Sequence, residues 1–171
     1  DRINNNQDQS FDIRFAPAGF GTYYRSLIDS VQKRDFDVYG KAYHSIDSLK
    51  QLHWKITRES KEILGYKVYK AVLEDSISFT TAWFSPKVQI SSGPAEFWGL
   101  PGLILELEKS SKTRIYTVNY IAKSLKEIKN PKMIIPEKGT LIKEMEIDGI
   151  FEEANKKRHE LYLESQGVNV E

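Results

Sequence analysis

The fold of this chain depends on one stretch, which reads Ser92-Gly93-Pro94-Ala95-Glu96-Phe97-Trp98-Gly99-Leu100-Pro101-Gly102-Leu103-Ile104-Leu105-Glu106-Leu107. Two sets of turn-forming residues stand close together among large apolar side chains, and the stretch ends in an apolar strand pattern. The backbone must turn sharply while its side chains point inward. We therefore predict a rigid corner at which a sheet bends, built from Gly93, Pro94, Gly99, Leu100, Pro101, Gly102, Leu103 and Ile104.

Segments on both sides of this corner have the alternating pattern of β-strands. Residues 66–73 and 77–84 are rich in β-branched and aromatic side chains, and the short 74–76 link between them predicts a hairpin. Residues 11–15, 103–108 and 113–121 alternate in the same way. Closely spaced strands of this kind indicate an antiparallel sheet.

Other segments are predicted to be irregular or helical. The charged residues 29–37 indicate a loop, with a short strand as a second interpretation at Phe36, Val38 and Ala42. Residues 45–50 indicate one helical turn, and residues 59–65 a turn. From Thr140 onward the apolar residues follow helical spacing, at Ile147, Ile150, Phe151, Ala154 and Leu161. The predicted fold is α+β: a curved, mainly antiparallel sheet of roughly six to nine strands, shaped like a half-barrel or bowl, with a long C-terminal helix.

Composition limits the classes of partner. A chain of 171 residues fits a single domain, which we place at 11–171, and the polar residues 1–10 are expected to form a flexible arm. With 25 basic and 24 acidic residues the net charge is +1, so no nucleic-acid partner is expected. The chain has no cysteine and no apolar run of the roughly 18 residues that a membrane helix needs.

No catalytic or metal-binding spacing is visible. His44, His53 and His159 are far apart, and none belongs to a metal-ligand motif. The chain lacks a G-x-S-x-G motif, and the adjacent acids Glu74 and Asp75 point apart on a strand. We expect no catalytic residues, no metal and no cofactor, although carboxylates gathered by the fold would not show in a sequence.

Aromatic residues cluster near the corner: Trp54, Tyr66, Trp83, Phe97 and Trp98. One interpretation is a large aromatic core. The other is that some of these rings line an apolar concavity that binds a lipid, a peptide or an aromatic ligand. Lys70, inside an otherwise apolar strand, is expected to reach the sheet edge or to face a carboxylate such as Glu96 or Glu106.

The motif Gly99-Leu100-Pro101-Gly102-Leu103-Ile104 resembles the signature of the GLPGLI family. Blocks 54–56, 63–71, 81–84 and 92–97 are similar to that family's pattern in the same order, so the resemblance covers about 50–107. Family members often carry a Cys in the block after Gly65, where this chain has Val68, so no thiol role is carried over.

What the resemblance implies is an exported protein. The family is found mainly in Bacteroidetes, usually behind a secretion signal and often beside genes for receptors of the TonB-dependent type. It therefore implies a periplasmic or outer-membrane-associated protein whose signal peptide has been removed, consistent with a chain that starts at Asp1. We expect a non-enzymatic accessory or binding protein with an outer-membrane, peptide or lipid partner; the alternatives are a hydrolase with fold-gathered acids and a purely structural interaction domain.

Overall fold

The computed structural model describes residues 11–13, 21–113, 117–128 and 135–166. This part of the chain is mostly antiparallel β-sheet with one C-terminal helix, and the sheets are not closed, which confirms the predicted α+β class. The strands are divided between two five-stranded sheets, whereas the prediction had one sheet. In chain order the elements are β1 (Phe11–Ile13), β2 (Tyr23–Ser26), β3 (Val31–Val38), β4 (Lys41–Ser48), β5 (Lys55–Ile63), β6 (Tyr66–Glu74), β7 (Ser78–Ser85), β8 (Leu103–Ser111), β9 (Thr117–Ile121), β10 (Thr140–Ile142), a 3-10 helix (Glu144–Glu146) and α1 (Ile147–Ser165).

The chain divides into two compact units. One is built around residues 50–133, and the other around 14–49 together with 134–171. The single domain expected over 11–171 stays a prediction, and the arm expected at 1–10 lies outside the described residues.

The unit around 50–133 holds the motif sheet, with the strand order β5-β6-β7-β8-β9. Each of these strands pairs antiparallel with the next along the chain, as the predicted series of hairpins requires. The β5–β6 hairpin closes through Leu64 and Gly65, whose φ angles of 53° and 75° give a two-residue turn that suits the twist of the strands. β7 ends at Ser85, directly before Pro86, because proline has no amide hydrogen for the ladder.

Strand alternation gives the motif sheet two different faces. On its core face Ala71, Ala82, Phe84 and Leu107 are buried in one apolar cluster. On its outer face the neighbouring residues Lys70, Trp83 and Glu106 lie side by side in register. The two faces therefore have different chemistry, one apolar and one mixed.

The predicted corner packs against the core face. Phe97 and Leu100 join the buried cluster with Ala71 and Ala82, and Ile104 completes it. Burial of each such side chain contributes about 1.5–3 kcal/mol, so the corner is a substantial part of this core. Trp83 pairs with Glu106 but Phe84 pairs with Ile104, so Leu105 is the extra residue of a β-bulge at the start of β8.

Gly102 joins the corner to β7 by a close backbone approach. A Cβ at this position would lie 2.2 Å from the carbonyl oxygen of Ser85, and the φ of Gly102 is 153°. No side chain fits there, so only glycine allows β8 to start beside the end of β7.

The second unit holds the helix-packed sheet. Its strands follow the order β2-β3-β4-β10, and β10 pairs parallel with β4. The first turns of α1 pack through Ile147, Ile150, Phe151 and Ala154 on a cluster that contains Phe36, Val38 and Tyr43. The predicted helical stripe is thus confirmed in its first half, whereas Leu161 is 57% exposed.

Three local predictions were wrong in this unit. Residues 31–37 form most of β3 rather than a loop, residues 45–48 belong to β4 rather than to a helical turn, and 140–142 form β10 rather than the start of the helix. Side chains of distant residues balance the charges that indicated a loop: Lys33 pairs with Glu137 at 3.1 Å and Arg34 with Glu144 at 3.5 Å. Pairing with β3 and β10 outweighs the weak helical signal of residues 45–50.

In the motif sheet, the turn predicted over 59–65 is shorter than expected. β5 continues to Ile63 and only residues 64 and 65 turn. Within the corner, Ser92 and Trp98 form one isolated antiparallel bridge outside the named strands.

The role of Gly102 is tested by a pair of alanine substitutions. We expect Gly102→Ala to lower the free energy of unfolding by on the order of 3 kcal/mol, because the new Cβ collides with backbone. At Gly65 the φ angle is also positive, but the space around a new Cβ is open. Gly65→Ala should therefore lower the free energy of unfolding by only about 1 kcal/mol. Urea denaturation followed by circular dichroism measures both, and equal losses would contradict the close approach.

Candidate functional site

The strongest candidate site is the tryptophan corner, which we define as Trp54, Phe97 and Trp98. The indole N–H of Trp54 donates to the carbonyl oxygen of Trp98 at 2.7 Å, and the indole N–H of Trp98 donates to the carbonyl oxygen of Lys50 at 3.1 Å. The rings of Trp54 and Phe97 are tilted by 58°, with centroids 6.2 Å apart. Both indoles are half-buried, so they are held in place while part of each ring remains accessible.

A lysine closes the inner side of the tryptophan corner. The ammonium of Lys109 lies 5.5 Å from the centroid of the buried Phe97 ring and 3.0 Å from a carboxylate oxygen of Glu96. Since Lys109 is on β8, this contact ties the corner to the motif sheet. The sequence pattern did not identify Lys109 as part of a site. The one feature that could have indicated it is the alternation of β8, which places Lys109 on the same face as the apolar Leu107.

Two of the five predicted ring residues lie elsewhere. Trp83 is on the outer face of the motif sheet, where the ammonium of Lys61 lies 4.3 Å from its ring centroid and 2.7 Å from Glu106. Tyr66 begins β6, with the ammonium of Lys87 5.8 Å from its ring. The structure therefore brings Trp54, Phe97 and Trp98 together and separates Trp83 and Tyr66 from them.

The motif residues differ in exposure. Gly93, Pro94, Leu100, Gly102 and Ile104 are buried, Leu103 is half-buried, and Gly99 and Pro101 are exposed at the tip of the turn. The inward side chains predicted for the motif are thus found at its apolar positions. Gly99 lies next to Trp54, since a Cβ there would be 4.0 Å from the indole Cδ1.

Val68 occupies a core position. It is fully buried on β6, at the place where the resembled family often has a Cys. A β-branched apolar side chain fills this place, so the position has a packing role in this chain. Lys70, two residues along, faces a carboxylate as expected, but its partner is Glu59 on the edge strand β5, at 3.0 Å, and not Glu96 or Glu106.

The carboxylates of Glu74 and Asp75, at the turn between β6 and β7, make ion-pair and hydrogen-bond contacts that stabilise this turn. Glu74 accepts from Lys112 at 2.6 Å. Asp75 accepts from the amides of Ile77 and Ser78 at 2.8 and 2.6 Å, which closes the turn before β7. Among the residues that the structure describes, no three His, Asp or Glu side chains are grouped to hold a metal ion.

Hydrogen bonding decides the acidity of Asp75. Its slight loss of hydration acts to raise the pKa, but hydrogen bonds from the amides of Ile77 and Ser78 and from the Ser78 hydroxyl, with the charge of Lys109, outweigh it. The pKa of Asp75 is therefore lowered from its ordinary value.

Comparisons with known proteins give a short match to a family of unknown function and two solved structures with a similar fold. A family model described as Porph_ging, a protein of unknown function, matches residues 74–106, which include the motif. No curated protein matches the chain. No helix in the described part of the chain is long and apolar enough to cross a membrane.

Two solved structures of PNGF-II are similar to this chain. The structure in the C2 space group has a TM-score of 0.51 and 17% identity, and covers 81% of this chain and 26% of that one. The structure in the P21 space group has a TM-score of 0.56 and 17% identity, and covers 89% of this chain and 31% of that one. The chain thus spans less than a third of PNGF-II, and at this identity the likeness shows the fold alone.

Tryptophan-to-phenylalanine substitutions test the tryptophan corner. Trp54→Phe removes the hydrogen bond that the indole N–H donates to the carbonyl oxygen of Trp98 and should lower the free energy of unfolding by about 1–2 kcal/mol. Trp83→Phe, on the outer face, removes no hydrogen bond seen among the described residues. It should lower the free energy of unfolding by less than about 1 kcal/mol. Denaturant titrations followed by circular dichroism compare the two, and a larger loss at Trp83 would contradict the assigned contacts.

Asp75 predicts a pH-dependent contribution to stability. Because its folded-state pKa is lowered, the contribution is present above the unfolded-state pKa and is lost as the pH falls through the folded-state value. Asp75→Asn should therefore cost about 1 kcal/mol at pH 7 and less at pH 3. A Glu62→Gln control at an exposed position should change little at either pH, and a cost for Asp75→Asn that is larger at pH 3 would refute the assignment.

Proposed function

We propose that this protein is an exported, non-enzymatic binding or accessory protein of the periplasm, and that the tryptophan corner is its binding surface. The partner is an apolar ligand or an apolar peptide segment, such as a segment of an outer-membrane receptor of the TonB-dependent type. The GLPGLI family is the proposed family.

One observation carries the proposal: both indole N–H groups of the tryptophan corner are fixed by backbone carbonyls while the rings stay half-exposed. A ring that is already held in place loses little conformational entropy when a ligand packs on it. Tryptophan is also the residue type that most often dominates binding energy at interfaces. Rigid, half-exposed indoles beside an exposed turn suit recognition of an apolar chain.

Further support comes from the neighbouring residues. The adjacent acids Glu74 and Asp75 are engaged in an ion pair with Lys112 and in the turn before β7, so this pair has a structural role. The family-model match over 74–106 agrees with the position of the resemblance, and the resemblance is the support for export and for an outer-membrane partner.

Fluorescence of the three tryptophans provides the test. The full chain is titrated with monomeric laurate and, separately, with the apolar peptide acetyl-Leu-Val-Leu-amide. We expect a saturable blue shift of the tryptophan emission with one or both probes, because the exposed parts of Trp54 and Trp98 become desolvated.

Trp83→Phe is the matched control. This variant keeps both indoles of the tryptophan corner and should keep the response, whereas Trp98→Phe should reduce it. Absence of a saturable response to both probes, or its loss in Trp83→Phe alone, would contradict the proposal.

A further inference from the structure

The last strand of the motif sheet has an outward edge of backbone groups. β9 pairs with β8 on one side and ends the sheet among the described residues. The amide of Ala122 donates to the carbonyl of Leu105 at 2.8 Å, and Tyr120 pairs with Leu107 two residues earlier. In an antiparallel ladder the residues between such pairs point their N–H and C=O groups the other way. The backbone groups of Thr117, Asn119 and Ile121 therefore face outward.

The opposite edge of the same sheet is protected against strand addition. β5 carries five charged side chains in nine residues, and its register jumps between Ile56 and Ser60, so that its ladder is irregular. Charges and irregular pairing are the usual ways in which proteins block a sheet edge. β9 has neither: Thr117-Val118-Asn119-Tyr120-Ile121 is uncharged, regular and free of proline.

We propose that β9 pairs antiparallel with β9 of a second copy of this chain, centred on Asn119. In this register the two Asn119 residues face each other, and Thr117 of one copy faces Ile121 of the other. These three residues are the ones whose backbone N–H and C=O groups point away from β8. The five-residue strand is thus hydrogen-bonded to itself across a two-fold axis, as an isologous interface requires. The two motif sheets become one continuous ten-stranded sheet.

Side-chain pairing favours a second copy as the occupant. Val118 faces Tyr120 of the other copy on the core side, an aromatic and β-branched pair that extends the apolar face. Thr117 faces Ile121 on the outer side, where Ile121 is 53% exposed in the single chain. No charged residue of β9 meets a like charge, because the strand contains none.

Sedimentation equilibrium of the full chain tests the interface. We expect a dimer of twice 19.8 kDa at micromolar concentration. Asn119→Lys and Asn119→Asp each place two like charges opposite each other at an exposed position and should give monomers. An equal mixture of the two variants should dimerise again, since Lys then faces Asp.

Controls separate this register from other modes of association. Gln89→Lys, at an exposed position outside the sheet, should leave the dimer intact. Because the chain has no cysteine, Asn119→Cys should form a disulfide-linked dimer under mild oxidation, and Gln89→Cys should not. A monomeric wild-type chain, dimers that persist in both charge variants, or a mixture that stays monomeric would each overturn the proposal.

Discussion

The structure around 50–133 depends on the close backbone approach of Gly102 to Ser85. The carbonyl of Ser85 lies where any side chain at position 102 would be, so β8 can start beside the end of β7 only with glycine there. This contact closes the connection after Pro86 into a compact corner, which carries Phe97 and Leu100 onto the apolar face of the sheet. Burial of these side chains then makes the corner part of the core and not a surface loop.

The same geometry explains why the aromatic residues form no single cluster. Strand alternation places Phe84 in the core and its neighbour Trp83 on the outer face, beside Lys61 and Glu106. Trp54 and Trp98 reach Phe97 from outside the regular strands, through the segment before β5 and the corner itself. The indoles of Trp54 and Trp98 are held by hydrogen bonds to backbone carbonyls, whereas the ring of Trp83 lies against the ammonium of Lys61. The two places therefore differ in chemistry.

Much of the motif sheet was predictable because its signals are local. The alternation of 66–73 and 77–84, the short link between them and the stop at Pro86 depend on neighbouring residues only. β3 was missed because Lys33 and Arg34 are balanced by Glu137 and Glu144, about a hundred residues away. The end of β4 was missed because its pairing with β3 and β10 is not visible in the local pattern. The separation of Trp83 from the tryptophan corner required knowing the register, and the partner of Lys70 depended on the irregular pairing of β5.

Hydrogen exchange at the corner tests the central claim most directly. The amides of Phe97, Gly102 and Ile104 donate to the carbonyls of Pro94, Leu100 and Ser92 at 3.0, 2.8 and 2.9 Å. If the corner belongs to the core, these amides exchange only by global unfolding, with the same free energy of opening as the amide of Ala82 in β7. Exchange of the corner amides at the rate of an exposed loop, while Ala82 stays protected, would contradict the account.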